Sequence, residues 1–311
     1  MPYNFEFVRW MARLRAPLFT ALILVLAACN PIDSFTPESA VDPEAVDDPI
    51  EEPSFATTFA GGIPMGLFQT PYVAIGSRYN GTLRNIYPGS LLSELKAIKA
   101  RGGKVILALP GAPPRYTDRQ GNFSLSMWKA SVDRYRNVNF SSYIKDGTII
   151  GNFLIDEPND ASNWRNHKPI SASTVEEMAR YSKARWPSLT TIVRVRPDYL
   201  NRSHRYLDAA WSQYHSRFGS PSKFISHDVA VARNKGLGLV VGMNVLKGNG
   251  GRKMTASQVK SWGAALLSSS YPCAFLSWTY NSTYLSTSSM REAMSYLRRK
   301  AQARSLRNCR G

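Results

Sequence analysis

Two adjacent carboxylates end one apolar run. In Gly151-Asn152-Phe153-Leu154-Ile155-Asp156-Glu157-Pro158-Asn159 the apolar stretch breaks into Asp156 and Glu157, and Pro158 stops further sheet pairing. Two carboxyls this close resist simultaneous ionisation, so one of them can keep a proton toward neutral pH and act as a general acid. Asn159 follows directly. The residues just past the other apolar runs are also polar or aromatic: Gln69 and Tyr72, Arg115, Asp198, Gln213 and Tyr214, Asn244 and Lys247, Trp278 and Tyr280. Rings can stack on pyranose faces, and amides and charged groups can hold hydroxyls, so a sugar is the ligand these edges suit.

Other chemistries lack their spacing. His167, His204, His215 and His227 form no H-x-x-x-H or H-E-x-x-H pattern, and no G-x-S-x-G or glycine-rich phosphate motif occurs. Neither a metal nor a cofactor is expected.

The elements that must position these edges alternate in type. Strands are expected at Met65–Gln69, Lys104–Leu109, Thr148–Ile155, Thr190–Val195, Leu207–Tyr214, Leu237–Val245 and Cys273–Thr279, with an eighth from Ser54–Phe59 or Val73–Ile75. Helix starts are expected at Ser90, at Pro221 after Ser220, and at the capping boxes Ser173–Glu176, Thr255–Gln258 and Ser289–Glu292. Strands this uniformly apolar fit a parallel sheet covered on both faces. The chain length then points to an α/β (β/α)8 barrel, whose chemistry lies at the C-terminal strand ends. A doubly wound open sheet is the alternative, weakened by the missing glycine fingerprint.

With this layout, the run ending in Asp156-Glu157-Pro158 resembles the superfamily of barrel glycoside hydrolases, in which a strand commonly ends in Asn-Glu-Pro with Glu as the acid/base. The resemblance implies that Glu157 is the general acid, while Asp156 stands where that family usually has Asn. Retaining members end a later strand in a nucleophilic Glu, yet past residue 177 the only Glu is Glu292, inside the last helix. Asp208 lies near the start of its strand and Asp228 lies mid-helix, so Asp198, flanked by Tyr199, is the best partner carboxylate. Alternatively, Asp156 polarises a substrate group or a water while Glu157 gives the proton. The expected activity is cleavage of a polysaccharide or oligosaccharide, and a barrel that binds glycan or envelope polymer without turnover is the competing reading.

Three regions differ in charge. The chain holds 39 basic and 22 acidic residues; residues 1–59 contain three of the former and nine of the latter, which leaves residues 60–311 at a formal +23. Arg9, Arg13 and Arg15 precede an apolar stretch and then Ala27-Ala28, the layout of an export signal. Leu26-Ala27-Ala28-Cys29 resembles the lipobox of bacterial lipoproteins, which implies a lipid on Cys29, a membrane partner through it, and a place in the cell envelope, at the outer membrane. The expected division is a signal peptide at 1–28, an acidic proline-rich tether at 29–58 and the barrel at 59–311. The apolar run Ala16–Ala28 is shorter than the roughly 20 residues a crossing helix needs. Cys273 and Cys309 remain as a disulfide or as two free thiols. An exported protein meets anionic glycans before nucleic acid, so Arg115, Arg194, Arg196 and Lys247 near strand ends suit an acidic sugar, and no nucleic-acid partner is expected.

Overall fold

The computed structural model describes residues 61–310, and the expected signal peptide, Cys29, the tether and Ser54–Phe59 lie outside the described residues. Eight parallel strands close into a barrel: β1 (Met65–Phe68), β2 (Gly81–Arg84), β3 (Lys104–Leu107), β4 (Ile149–Asp156), β5 (Thr191–Arg194), β6 (Ala209–Tyr214), β7 (Gly238–Met243) and β8 (Ala274–Ser277). Strand β1 pairs with both β2 and β8, so the sheet has no edge and the open-sheet alternative is overturned.

The eighth strand is neither of the segments expected. Val73 and Ala74 fall in a 3-10 helix, Tyr72–Ala74, capped by Ile75; Ala74 N–H donates to Pro71, Ile75 N–H to Tyr72, and Ile75 bridges only to Tyr79, so the segment pairs locally rather than within the barrel sheet. The position belongs to β2, Gly-Thr-Leu-Arg, which carries a single large apolar residue. What β2 offers instead is close approach. A β-carbon on Gly66 would stand 1.8 Å from the Gly81 carbonyl oxygen, and one on Gly81 would stand 2.8 Å from Met65 N.

Alternation along the strands divides the core into two layers. Leu83, Ile106, Phe153, Ile192, Ala209, Trp211, Val240 and Leu276 fill the barrel, while Leu67, Leu154, Val193, Ala210, Leu239 and Phe275 face the helices. Helices α1 (Leu91–Ala100), α2 (Leu125–Asp133), α3 (Ser141–Lys145), α4 (Ala172–Arg185), α5 (Pro221–Asn234), α6 (Ala256–Leu266), α7 (Ser282–Leu285) and α8 (Ser288–Gln302) supply the outer layer. Helix α5 starts at Pro221, and Thr255 with Gln258 forms the expected capping box of α6. Two other caps sit two residues earlier than their boxes. Ser171 accepts from Thr174 N at the head of α4, because Glu176 is committed elsewhere, and Thr287 accepts from Met290 N at the head of α8.

The crossover after β5 contains only a short 3-10 helix, Pro197–Tyr199, and its backbone is fastened by two side chains. Glu176 accepts from the N–H groups of Arg205 (2.8 Å) and Tyr206 (2.7 Å). Lys235 Nζ donates to the carbonyls of Pro197 (2.8 Å), Asp198 (3.2 Å) and Leu200 (2.5 Å). Such bonds give an irregular segment the backbone partners that a helix would have supplied internally.

The N-terminal end of the barrel is covered. Cys273 and Cys309 form a disulfide with Cα atoms 5.1 Å apart, and both are buried among the barrel residues. A β-carbon on Gly238 would meet the Cys309 carbonyl oxygen at 2.1 Å, so the tail lies directly on the start of β7.

Candidate active site

Strand β4 runs past its neighbours to Asp156, and its register with β5 shifts between Phe153 and Asp156, which pairs Asp156 with Arg194. With Ile192 inside the barrel, the residue two positions on, Arg194, also turns inward. Its side chain is only 8% exposed, and three side chains answer its charge. Nε donates to Asp156, Nη1 donates to Gln213 Oε1, and Nη2 stands 3.4 Å from Glu157 Oε2. Burial opposes a charged Arg194, but Asp156 and Glu157 outweigh it and hold the guanidinium protonated.

Glu157 sits in the left-handed region, φ 37°, which a non-glycine residue rarely adopts. Its N–H donates to the Arg194 carbonyl at 2.9 Å, and its own carbonyl accepts from Asp160 N (2.9 Å) and Asn163 Nδ2 (3.2 Å). Three bonds thus hold an unfavourable backbone angle that turns the side chain beside Arg194. Arg194 draws the Glu157 carboxyl downward, but burial and the charges of Asp156 and Asp160 outweigh it and Arg217, and the carboxyl is shifted upward. That is the direction a general acid requires.

Aromatic rings complete the mouth. Trp278, at the end of β8, stacks on Phe68 at the end of β1, with centroids 4.3 Å apart and planes 8° from parallel, and the Arg194 guanidinium lies 5.3 Å from the Trp278 centroid. A cleft at this end is lined by Phe68, Asn85, Gly111, Tyr116, Asp156 and Trp278. Tyr116 is buried, and burial together with the Asp156 charge pushes its hydroxyl pKa up, so it stays a neutral phenol.

The structure therefore gathers Asp156, Glu157, Gln213 and Trp278 around Arg194. Asn244 bridges to Trp278 in the sheet, and its Oδ1 accepts from Lys247 N at 2.9 Å, which places both at the rim of β7. Gln69 makes the left-handed turn after β1 (φ 59°), and Asn159 is exposed beyond Pro158. Tyr280 packs edge-on against Tyr79. Arg115 lies over the Tyr87 ring, 5.5 Å from its centroid.

Other expected site residues lie elsewhere. Tyr214 is buried against Phe224 and Trp262, with its hydroxyl on the Gly219 carbonyl, because alternation sends it outward when Gln213 faces in. Tyr72 packs under Arg101, beside the loop between α1 and β3. Asp198 accepts from His227 (3.0 Å) and stands 3.4 Å from Arg196, on the crossover after β5. Asp198, His227 and Asp228 place ligand atoms within 4.8 Å of one another, but Arg196 donates to Asp228 at 2.6 Å, so a fixed cation already serves this cluster. Arg194 is the central residue that the strand-end reading undervalued. Its signal was the alternation of Ile192 with Arg194; Asn85 had none, because β2 itself was hidden, and Phe68 reads as an ordinary apolar residue of the expected β1 strand.

These features define a (β/α)8 barrel with an acid pair at the C-terminal end of β4. No protein-family model matches the sequence, and no curated protein matches it. In fold the chain is similar to the β-glucanase SdGluc5_26A from Saccharophagus degradans, with 12% identity, a TM-score of 0.52, and 77% of this chain and 88% of that one covered. It is equally similar to the native xylanase 10B from Thermotoga maritima, with 10% identity, a TM-score of 0.52, and coverage of 80% and 98%. Gas2p of Saccharomyces cerevisiae, solved with laminaripentaose, gives 13% identity and a TM-score of 0.50 over 76% of this chain and 59% of that one. At such identities the shared property is the fold.

Proposed function

We propose that this barrel is a glycoside hydrolase that cuts a polysaccharide, with Glu157 as general acid, on a chain exported and lipid-anchored through Cys29. The observation that carries the reading is Glu157 itself: a carboxyl with an upward-shifted pKa, held at a strand end beside Arg194, whose guanidinium lies 5.3 Å from the Trp278 centroid. Protonated Glu157 gives its proton to the glycosidic oxygen as the bond to the anomeric carbon breaks. Asp156, ion-paired with Arg194 at the cleft, polarises a substrate group or the attacking water. The named enzymes that share the fold, a β-glucanase and a xylanase, and the protein held with laminaripentaose make a polysaccharide the natural substrate class to test.

A second reading has its own support. Both carboxylates contact Arg194, and Asp198 is engaged by His227 and Arg196. That pairing suits a barrel that binds glycan without cutting it. A polysaccharide panel assayed for new reducing ends with wild type and Glu157→Gln separates the two. Turnover lost in the variant supports the hydrolase; glycan binding with no reducing ends from the wild type supports the binder.

A further inference from the structure

Beyond the acid pair, two arginines stand against Gly111, which lines the cleft, and among the described residues no carboxylate answers them. Arg115 ends the 3-10 helix Pro113–Arg115, and Arg134 caps the C-terminus of α2. Both close over Gly111, a cleft-lining residue with φ 77°. A β-carbon on Gly111 would stand 2.9 Å from Arg115 Cδ and 3.5 Å from Arg134 Nη2, so the backbone is kept bare where the two side chains meet. Arg134 is oriented by backbone carbonyls, donating from Nε to Ser131 at 2.9 Å and from Nη2 to Leu109 at 3.4 Å. Arg115 lies over the ring of Tyr87, which is itself 54% exposed.

Among the described residues neither guanidinium forms an ion pair. By contrast, the nearby Arg84 is paired with Glu94 at 2.7 Å, and Arg194 with Asp156. Both unpaired arginines are half-buried. Burial, with the like charge of Arg115, lowers the Arg134 pKa against the opposite pull of the Tyr135 and Tyr87 hydroxyls. Two like charges packed together at a half-buried cleft wall repel each other unless an anion joins them, and a guanidinium fork matches a carboxylate or a sulfate.

We infer that Arg115 and Arg134 form a subsite for the anionic substituent of an acidic glycan, a uronate carboxylate or a sulfate ester, one side of the cleft away from Glu157. The inference rests on the reading of the cleft as a glycan site and names the substrate class. Tyr87 offers a ring face beside the charge, and the +23 body draws a polyanion toward this mouth.

Titration calorimetry at low ionic strength, on the whole protein in the Glu157→Gln background, tests it with three probes: hexagalacturonate, a sulfated galactan hexamer, and neutral cellohexaose. One or both acidic probes should bind at least about tenfold more tightly than cellohexaose, as a charge-assisted contact implies. Which of the two wins identifies carboxylate or sulfate. Arg115→Gln, which among the described residues removes no side-chain hydrogen bond, should cancel most of that preference at an unchanged melting temperature; Arg134→Gln should act in the same direction. Equal binding of acidic and neutral probes, no binding of either acidic probe, or an undiminished preference in Arg115→Gln overturns the subsite. Wild-type protein that releases no reducing ends while its Arg115-dependent binding persists would remove the hydrolase and leave the subsite standing.

Discussion

Glu157 and Arg194 meet at 3.4 Å, farther apart than a close ion pair, while Asp156 takes the Nε of the same guanidinium. One cation therefore serves two adjacent acids unequally. Glu157, the less tightly held carboxyl, has its pKa moved up.

Replacing Glu157 by Gln keeps the shape and removes the exchangeable proton. Turnover of an unactivated glycan should fall by about 10²–10⁴-fold with binding retained, and a substrate with a good leaving group should suffer far less. Stability should move in the opposite direction. The folded carboxyl holds its proton more tightly than the unfolded one, so the stability tied to Glu157 is complete below the unfolded carboxylate range and is lost as pH rises through the folded pKa. Thermal melts should show Glu157→Gln above wild type at neutral pH and level with it in acid; equal melts at every pH would contradict the upward shift.

Arg194→Gln strips the strongest downward influence from Glu157. The alkaline limb of the pH–rate profile should shift upward. Removing one partner of a buried ion pair should also cost about 3 kcal/mol, measured by urea unfolding. An unmoved limb would mean that Arg194 does not tune Glu157.

Cys309→Ser opens the bridge to Cys273 across a sequence separation of 36. In the chain-entropy account the loss is roughly 4 kcal/mol. Melting temperatures with and without reductant should diverge for wild type and coincide for the variant.

Cys29→Ser addresses the leader. Wild type should fractionate with membranes and carry lipid at Cys29, and the variant should be soluble or retain its leader. Wild-type protein found soluble with residues 1–28 intact would sink the lipoprotein assignment.

The sequence exposed those parts of the molecule that hydrophobicity alone specifies. Strand β4 is legible because both of its faces are buried, so Ile149 to Ile155 reads as one apolar stretch ending in acids. Strand β2 is not, because contact with β1 selects Gly81 for its lack of a side chain, and a glycine reads as a turn. The same contrast runs through the site. Glu157 is visible at a strand end, but its control by Arg194 depends on a register shift in the β4–β5 pairing that no spacing reveals. Glu176 looked like the last member of a capping box, whereas its carboxylate holds the backbone of residues 205 and 206, remote in sequence.

The disulfide-bound tail covers the N-terminal end of the barrel, and the chain enters at that same end. Ile63 N–H donates to the Ala301 carbonyl at 3.1 Å, and a β-carbon on Gly62 would stand 2.5 Å from Gln302 Cα. The mouth bearing Glu157 and Trp278 is at the opposite pole. A chain held to a surface through residues before Gly62 would thus present its closed base to that surface and its mouth to the surrounding polymer.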